Sequence, residues 1–252
     1  MSRQSSWLYG LNPVREALRS GRPVKTLHLY SGRQRGVAEL REEAQRLGVP
    51  VKTEPSEFFD SRFPKGHQGV AAEVILKGYA TLDELLAVPG ERGEEPFFVV
   101  LDQVEDPRNL GAVLRTAEAA GVHGVVIQRR RQAGLGPEAA KASAGASEHL
   151  AVAAVSNVKH ALDEMKAAGI TIAGAEAEAE ALPWEVGLSG PLALVVGSEG
   201  SGLRRVVRER CDVVVGLPMR GRVNSLNTSV AAGVLIYEAL RQRLARFSAK
   251  VR

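Results

Sequence analysis

Residues 192–245 constrain the fold more than any other stretch. Leu192 to Val196 is an unbroken apolar run stopped by Gly197, and Val213 to Leu217 is a second, stopped by Pro218. Short apolar runs bounded by glycine or proline have the length of buried strands. After the second run, Ser225, Asn227 and Thr228 set small polar side chains ahead of a long apolar-periodic segment, the chemistry that starts a helix. Strand, loop and helix in that order belong to an open α/β sheet, whose ligands sit beyond the carboxyl ends of the strands. The two loops carry Ser198, Glu199, Ser225 and Asn227 among glycines that let a ligand approach the backbone.

The same order is expected from Phe97 onward. Phe97 to Leu101 reads as a buried strand ended by Asp102, followed by the loop DQVEDPRN, a helix that Asn109 opens and Gly121 closes, and a strand from Gly124 to Gln128. That succession implies a right-handed crossover in a parallel sheet. A small-residue helix is predicted over 137–146, an amphipathic helix over 157–168 and a strand over 170–173. Glu176, Glu178 and Glu180 alternate with alanine and read as a solvated loop.

Residues 1–79 form a separate β-α-β-α-β pattern, a small α/β sandwich. Its first helix is predicted within 9–19, with Asn12 as N-cap and Pro13 as first helical residue. Strands are expected at 25–30, 49–52 and 69–76, a helix at 36–47 and a helical turn at 56–59. His67-Gln68 either contacts a base or phosphate or fills a corner at the strand entrance. With no neighbouring acid and no second histidine at ligand spacing, metal binding is not expected. Residues 80–95 are the predicted linker, with one helix in TLDELLAV and then the turn-rich, acidic PGERGEEP; residues 96–252 are the second domain.

Composition narrows the partners. Of 252 residues, 44% are hydrophobic and 25% charged, ordinary for a globular chain. No apolar run approaches the ~18 residues of a membrane span, and MSRQSSWLYG lacks the apolar core of a signal peptide. The single cysteine, Cys211, leaves no internal disulfide and no cysteine-rich metal site, and reads as a small buried residue. The expected compartment is the cytoplasm. Net charge is +4, and residues 201–252 hold 11 Lys+Arg against 3 Asp+Glu. This is either the footprint of a phosphate-backbone binder or a solvated helix surface. Aromatic residues are only 5% of the chain, so no stacking platform is expected.

Three segments, LDQVEDPRNLGAVLRTAEAAGV, LVVGSEGSGL and LPMRGRVNSLNTSVAAGVLIYEALRQR, together resemble the SpoU (TrmH-type) branch of the SPOUT methyltransferases, in the family's order and spacing. WLYGLNPVREAL and HQGVAAEV resemble the small RNA-binding domain that some members carry, similar to a ribosomal-protein fold. The resemblance implies an α/β fold whose C-terminal segment threads a loop into a deep trefoil knot, an arrangement that ordinary connection rules exclude. It implies a pocket for S-adenosylmethionine built from the loops at 197–202, 217–222 and 223–228, and a homodimer through the knotted domain. The implied activity is methylation of an RNA ribose 2′-hydroxyl, with a guanosine of 23S rRNA as the expected target. Alternatives are the same chemistry on tRNA or another rRNA site, or an RNA-binding protein with a vestigial pocket.

Carried over residue by residue, the resemblance makes Arg115, Asn109, Glu199, Ser225 and Asn227 catalytic and Gly197, Leu217, Met219 and Leu226 cofactor-binding. The family's reactive arginine matches Arg115. A guanidinium holds its proton, so Arg115 is expected to clamp a phosphate and stabilise the developing alkoxide, paired with Glu199, while the proton leaves to phosphate or water. Asn109, Ser225 and Asn227 each have a second reading as helix caps. Arg108, Arg129, Arg130, Arg131, Arg220 and Arg222 are the expected RNA contacts.

Overall fold

The computed structural model describes residues 5–32, 36–130 and 132–250. In the N-terminal unit, β1 (Ser5–Tyr9), α1 (Leu11–Arg19), β2 (Val24–Tyr30), α2 (Val37–Arg46), β3 (Val51–Glu54), α3 (Ser56–Asp60) and β4 (Val70–Ile75) follow one another. The sheet order is β1-β4-β2-β3, with β4 antiparallel to both neighbours and β3 parallel to β2. Leu27, Leu29, Val70 and Val74 send their side chains into a core closed by Val14 and Leu18 of α1 and Leu40 of α2. The pattern had not announced β1, because only Leu8 and Tyr9 at its end are buried. Among the described residues, α1 begins at Leu11 behind Gly10, so Asn12 does not cap it and Pro13 is not its first residue. The Leu11 amide donates instead to Gln68 Oε1, 3.2 Å away and 57 positions along the chain. His67 does have an acid nearby, Asp60 at 3.2 Å, and its Nδ1 accepts the Gly69 N–H. The His-Gln pair is thus a corner support.

The other face of this sheet corrects the expectation about aromatics. Trp7, Tyr9, Tyr30, Phe58, Phe59 and Phe63 gather there, half of the chain's two Trp, four Tyr and six Phe. A low average hid a local concentration.

In the larger unit, α4 (Leu82–Arg92), β5 (Phe97–Asp102), α5 (Pro107–Ala119), β6 (Gly124–Gln128), α6 (Pro137–Ala142), a 3₁₀ turn (Ala146–Glu148), β7 (Ala151–Val155), α7 (Val158–Ala167), β8 (Thr171–Ala175), β9 (Leu192–Gly197), α8 (Arg205–Arg208), β10 (Val213–Val215) and α9 (Thr228–Lys250) succeed one another. The sheet is parallel throughout, in the order β10-β8-β9-β5-β6-β7. Strand order reverses where β5 meets β9, the place where open α/β sheets form a crevice. Helices α5 and α9 cover one face and α4, α7 and α8 the other. Gly111 lets α5 close on α6, since a Cβ there would stand 2.6 Å from Ala139 O.

The segment expected as a linker, 80–95, holds a helix that packs on the larger unit. Helix α4 carries a full Thr81–Glu84 capping box and runs through Pro89 to Arg92, burying Leu85 against Phe98 and Val126. The small-residue helix is shorter than predicted, α6 ending at Ala142 before the 3₁₀ turn. The last strand ends at Val215, so Leu217 lies in the loop beyond it. Cys211 packs on Gly174, and burial pushes its thiol up to about 12.

The two units dock through α6 and the 3₁₀ turn. Arg22 pairs with Glu148 at 2.7 Å with side chains 10% and 3% exposed, and His149 meets Glu16 at 2.9 Å. Lys141 Nζ donates to Gly66 O, and Lys77 Nζ to the carbonyls of Ser147 and Glu148.

Candidate active site

The site is built at the carboxyl ends of β5 and β9, and its frame is a buried carboxylate. Asp102, fully shielded from solvent, accepts the backbone N–H and the Nε–H of Arg204, at 3.0 and 2.8 Å. Arg204 also donates to Gln128 Oε1 at 2.9 Å. A charged hydrogen-bonded pair this sheltered costs much to break from one side, and it pins the return of the 198–204 loop to β5. The loop turns tightly, Ser198 and Gly202 exchanging backbone hydrogen bonds at 3.1 Å. Gly197 is required for that closure, because a Cβ there would lie 2.1 Å from Gly202 O. Sequence reading had passed over Arg204; an arginine just past a glycine loop whose strand neighbour ends in aspartate was the available signal.

Three of the expected catalytic residues meet. Asn227 Nδ2 donates to Asn109 Oδ1 at 3.0 Å, and Asn109 Nδ2 donates to Glu199 Oε2 at 3.3 Å. The chain positions joined are 118 and 90 apart. Asn227 also takes the cap role, its Oδ1 accepting the Ser229 N–H at 2.9 Å at the start of α9. Asn109 does not cap α5. Asp106 does, accepting the Arg108 N–H at 2.8 Å, and this leaves the Asn109 amide free to bridge the two loops.

Arg115 departs from expectation. It is exposed and makes no hydrogen bond or ion pair among the described residues, so the anticipated Arg115–Glu199 pair is absent there. Six helical positions rotate a side chain by roughly 600°, which places Arg115 about a third of a turn around α5 from Asn109. It shares the outer face with Arg108.

Beside the Asn109 cluster opens a cleft of ≈430 Å³. All four expected cofactor residues, Gly197, Leu217, Met219 and Leu226, line it, as do Glu199 and Ser225. Thr228 Oγ1 reaches Gly197 O at 3.5 Å, tying the start of α9 to the end of β9. Glu176 and Glu178, read as a solvated loop, also line the cleft, and Glu176 pairs with Arg208 at 2.7 Å.

Much of the basic C-terminal region is already paired. Arg204, Arg205, Arg208, Arg210, Arg241 and Arg246 each meet a carboxylate. Buried Arg243 donates to the carbonyls of Glu95, Pro96 and Gly190. The local excess of positive charge is therefore in large part structural. Arg220 and Arg222, exposed between β10 and α9, have no ion pair among the described residues. Arg108 pairs with its own cap Asp106, and exposed Arg129 donates to Ala154 O. Arg130 is exposed, and Arg131 lies outside the described residues.

Comparison with known proteins identifies the family. The model of the SpoU rRNA Methylase family matches residues 96–237, and that for RNA 2′-O ribose methyltransferase substrate binding matches residues 7–80. A Bacillus subtilis protein named for the TrmH family of tRNA/rRNA methyltransferases, YacO, is 45% identical over 96% of this chain and 98% of its own. The SpoU methyltransferase AviRb of Streptomyces viridochromogenes, solved with AdoMet, superposes with a TM-score of 0.79 at 27% identity, over 96% of this chain and 91% of that one. An AdoMet-bound rRNA methyltransferase from Sinorhizobium meliloti gives 0.76 at 26% identity, over 94% and 87%. With a family match over more than half of its length and a relative this similar across nearly all of it, the chain belongs to the SpoU rRNA methylase family.

Proposed function

We propose that this enzyme, an S-adenosylmethionine-dependent RNA methyltransferase, modifies a ribose 2′-hydroxyl of a guanosine in 23S rRNA. The observation that carries the reading is the hydrogen-bonded set Asn109–Glu199–Asn227 beside a cleft walled by Gly197, Leu217, Met219 and Leu226. The cleft volume falls within the ~300–1,000 Å³ usual for small-molecule sites. Its residues fit the cofactor. Leu217, Met219, Leu226 and Leu235 offer apolar walls to an adenine, the 197–202 backbone offers polar partners, and Glu176 and Glu178 offer acceptors for hydroxyl or ammonium groups.

When bound, the cofactor supplies an already activated methyl group. The protein's task is to hold the 2′-oxygen in line and to favour its developing negative charge. Positioning of this kind contributes up to roughly 7–11 kcal/mol. Asn109, held between Glu199 and Asn227, and the Ser225 hydroxyl orient the ribose. Arg115 reaches the adjoining phosphate from the outer face of α5 and stabilises the alkoxide as a permanent cation. The proton leaves to phosphate or water. Arg108, Arg129, Arg130, Arg131, Arg220 and Arg222 hold RNA phosphates in register without reading sequence.

The protein acts as a homodimer in the cytoplasm. Val230, Val234, Tyr237 and Leu244 form an exposed apolar stripe on α9, on the side away from Ala232, Leu235, Ile236 and Ala239 in the core. That stripe supports association through this domain. A deep trefoil knot is part of the same reading. It is supported by residues 216–227, which join the outermost strand β10 to the start of α9, tied by Thr228 to Gly197 at the end of β9.

The test is transfer of labelled methyl from S-adenosylmethionine to total RNA of a strain lacking the protein, followed by mapping. Label on a 23S rRNA guanosine 2′-oxygen is expected. Label in tRNA or elsewhere in rRNA would move the target, and label on a base would refute ribose chemistry. Failure to bind the cofactor in calorimetry would make the pocket vestigial.

A further inference from the structure

A second cleft, of ≈680 Å³, lies between the two units. Trp7, Tyr9 and Phe63 form one wall, and Leu135 and Pro137 the other. Tyr79 spans them, its hydroxyl accepting the Leu135 N–H at 3.0 Å while the residue stays 43% exposed. Phe63 lies nearly parallel to Tyr9 with ring centroids 5.6 Å apart, and at 5.6 Å from Trp7 in a tilted contact. Trp7 and Phe63 are each only half-buried, so their rings reach the cleft without being consumed by the core.

The charges around the cleft sort its occupant. Arg62, exposed beside Phe63, stacks its guanidinium 4.3 Å over the Phe58 ring and donates one N–H to Phe58 O at 3.3 Å, which leaves its other N–H groups to an incoming phosphate. Lys77 also lines the cleft, but its ammonium is committed to the Ser147 and Glu148 carbonyls. Glu138, on the larger unit's side of the cleft, repels phosphate and accepts hydrogen bonds from exocyclic amines. Aromatic faces with a cation on one side and an acceptor on the other suit a nucleobase whose phosphate points toward Arg62. Base–aromatic stacking beside basic residues is how single-stranded nucleic acid is held.

The cleft also reaches the first residue of the helix that carries Asn109. Pro107, one of its lining residues, is the first residue of α5, and Asn109 follows two positions later, an axial rise of about 3 Å. Two helical positions also turn side chains about 200° apart, so the cleft and the Asn109 cluster are approached from different sides of α5.

We propose that the interdomain cleft receives one unstacked nucleobase of the RNA substrate, from a nucleotide other than the methylated one, stacked against Trp7, Phe63 and Tyr79. The proposal rests on the RNA-modifying reading of the site and adds a recognition element spanning both units. It makes the domain junction, held by Arg22–Glu148 and Tyr79–Leu135, part of the binding surface.

The probe is a single-stranded RNA dodecamer carrying one 2-aminopurine, titrated with the full chain. Stacking quenches 2-aminopurine, so the wild type is expected to bind with a large fall in fluorescence. Phe63→Leu and, at a more exposed position, Tyr79→Leu should each weaken RNA binding about five- to a hundred-fold and restore fluorescence. S-Adenosylmethionine affinity, read by calorimetry, should stay unchanged, which separates a lost stacking surface from a lost fold. Wild-type affinity and full quenching in both variants would overturn the proposal, as would binding by the wild type without quenching. If the variants methylate RNA with an unaltered KM, the base cleft is wrong and the methyl-transfer reading survives. If the wild type quenches the probe and the variants do not, yet no RNA is methylated, the cleft stands and the catalytic reading falls.

Discussion

Asn109 shows how little the type of a residue says about its role until its surroundings are fixed. Ahead of an apolar helix an asparagine is a natural cap, yet Asp106 takes that task and Asn109 spends both ends of its amide on Glu199 and Asn227. Arg115 makes the complementary point. It holds no partner among the described residues, so its removal should cost the reaction and little else. Arg115→Ala is expected to lower kcat by at least ~100-fold, as removal of a charge-stabilising donor does, with cofactor affinity and thermal midpoint nearly unchanged. A variant that unfolds instead would make Arg115 a structural residue. His123 carries a prediction about pH. Its ring is buried, Nδ1 accepts the Phe97 N–H at 3.1 Å and Nε2 faces Glu94 at 3.0 Å. Burial, only partly opposed by Glu94, holds its pKa below the ordinary 6.5. The unfolded chain therefore takes up this proton first as pH falls, and the stability that the neutral ring provides above pH 6.5 is lost on acidification toward the folded-state pKa. Urea midpoints measured from pH 7 to about 5 should fall more steeply for the wild type than for His123→Asn, which keeps an acceptor and a donor without titrating. Equal slopes would remove His123 as a source of the dependence.

At the scale of elements, α4 is the instructive case. Its Thr81–Glu84 capping box and the buried Leu85 define a helix, whereas Pro89, Gly90 and a run of acids looked like its end. The helix survives because Pro89 stands late in it, and its packing on β6 and β7 outweighs one missing hydrogen bond. Leu85→Ala should destabilise the larger unit by about 2–5 kcal/mol, the range for truncating a fully buried leucine. A change below about 1 kcal/mol would return the segment to the status of a linker. Helix α9 differs in having apolar side chains on two sides. One side is spent on the core, and the other, through Val230, Val234 and Tyr237, remains exposed.

That second face is a matter for the whole molecule. Val234→Glu and Tyr237→Glu each place a charge where a dimer would bury it, at a cost of several kcal/mol. Both are expected to turn a dimer into a monomer in sedimentation equilibrium while the far-UV spectrum is preserved. A wild type that sediments as a monomer would refute the dimer, and an undisturbed dimer in both variants would move its interface elsewhere. The apolar periods and glycine stops by themselves marked the strands of the parallel sheet other than β7, and the loops at 197–202 and 217–228, because strand burial and turn chemistry are local properties. The family motifs named the cleft residues. Tertiary structure alone decided which side chains meet: Gln68 satisfies the Leu11 amide, Asp102 anchors Arg204, and Asn109 joins loops 90 and 118 positions away. It also gathered scarce aromatics into one wall and paired Arg204, Arg208, Arg210 and Arg246 of the basic segment with distant carboxylates. Hydrogen bonds and ion pairs act over a few ångströms of space whatever the distance along the chain, so no local pattern of residues could carry them.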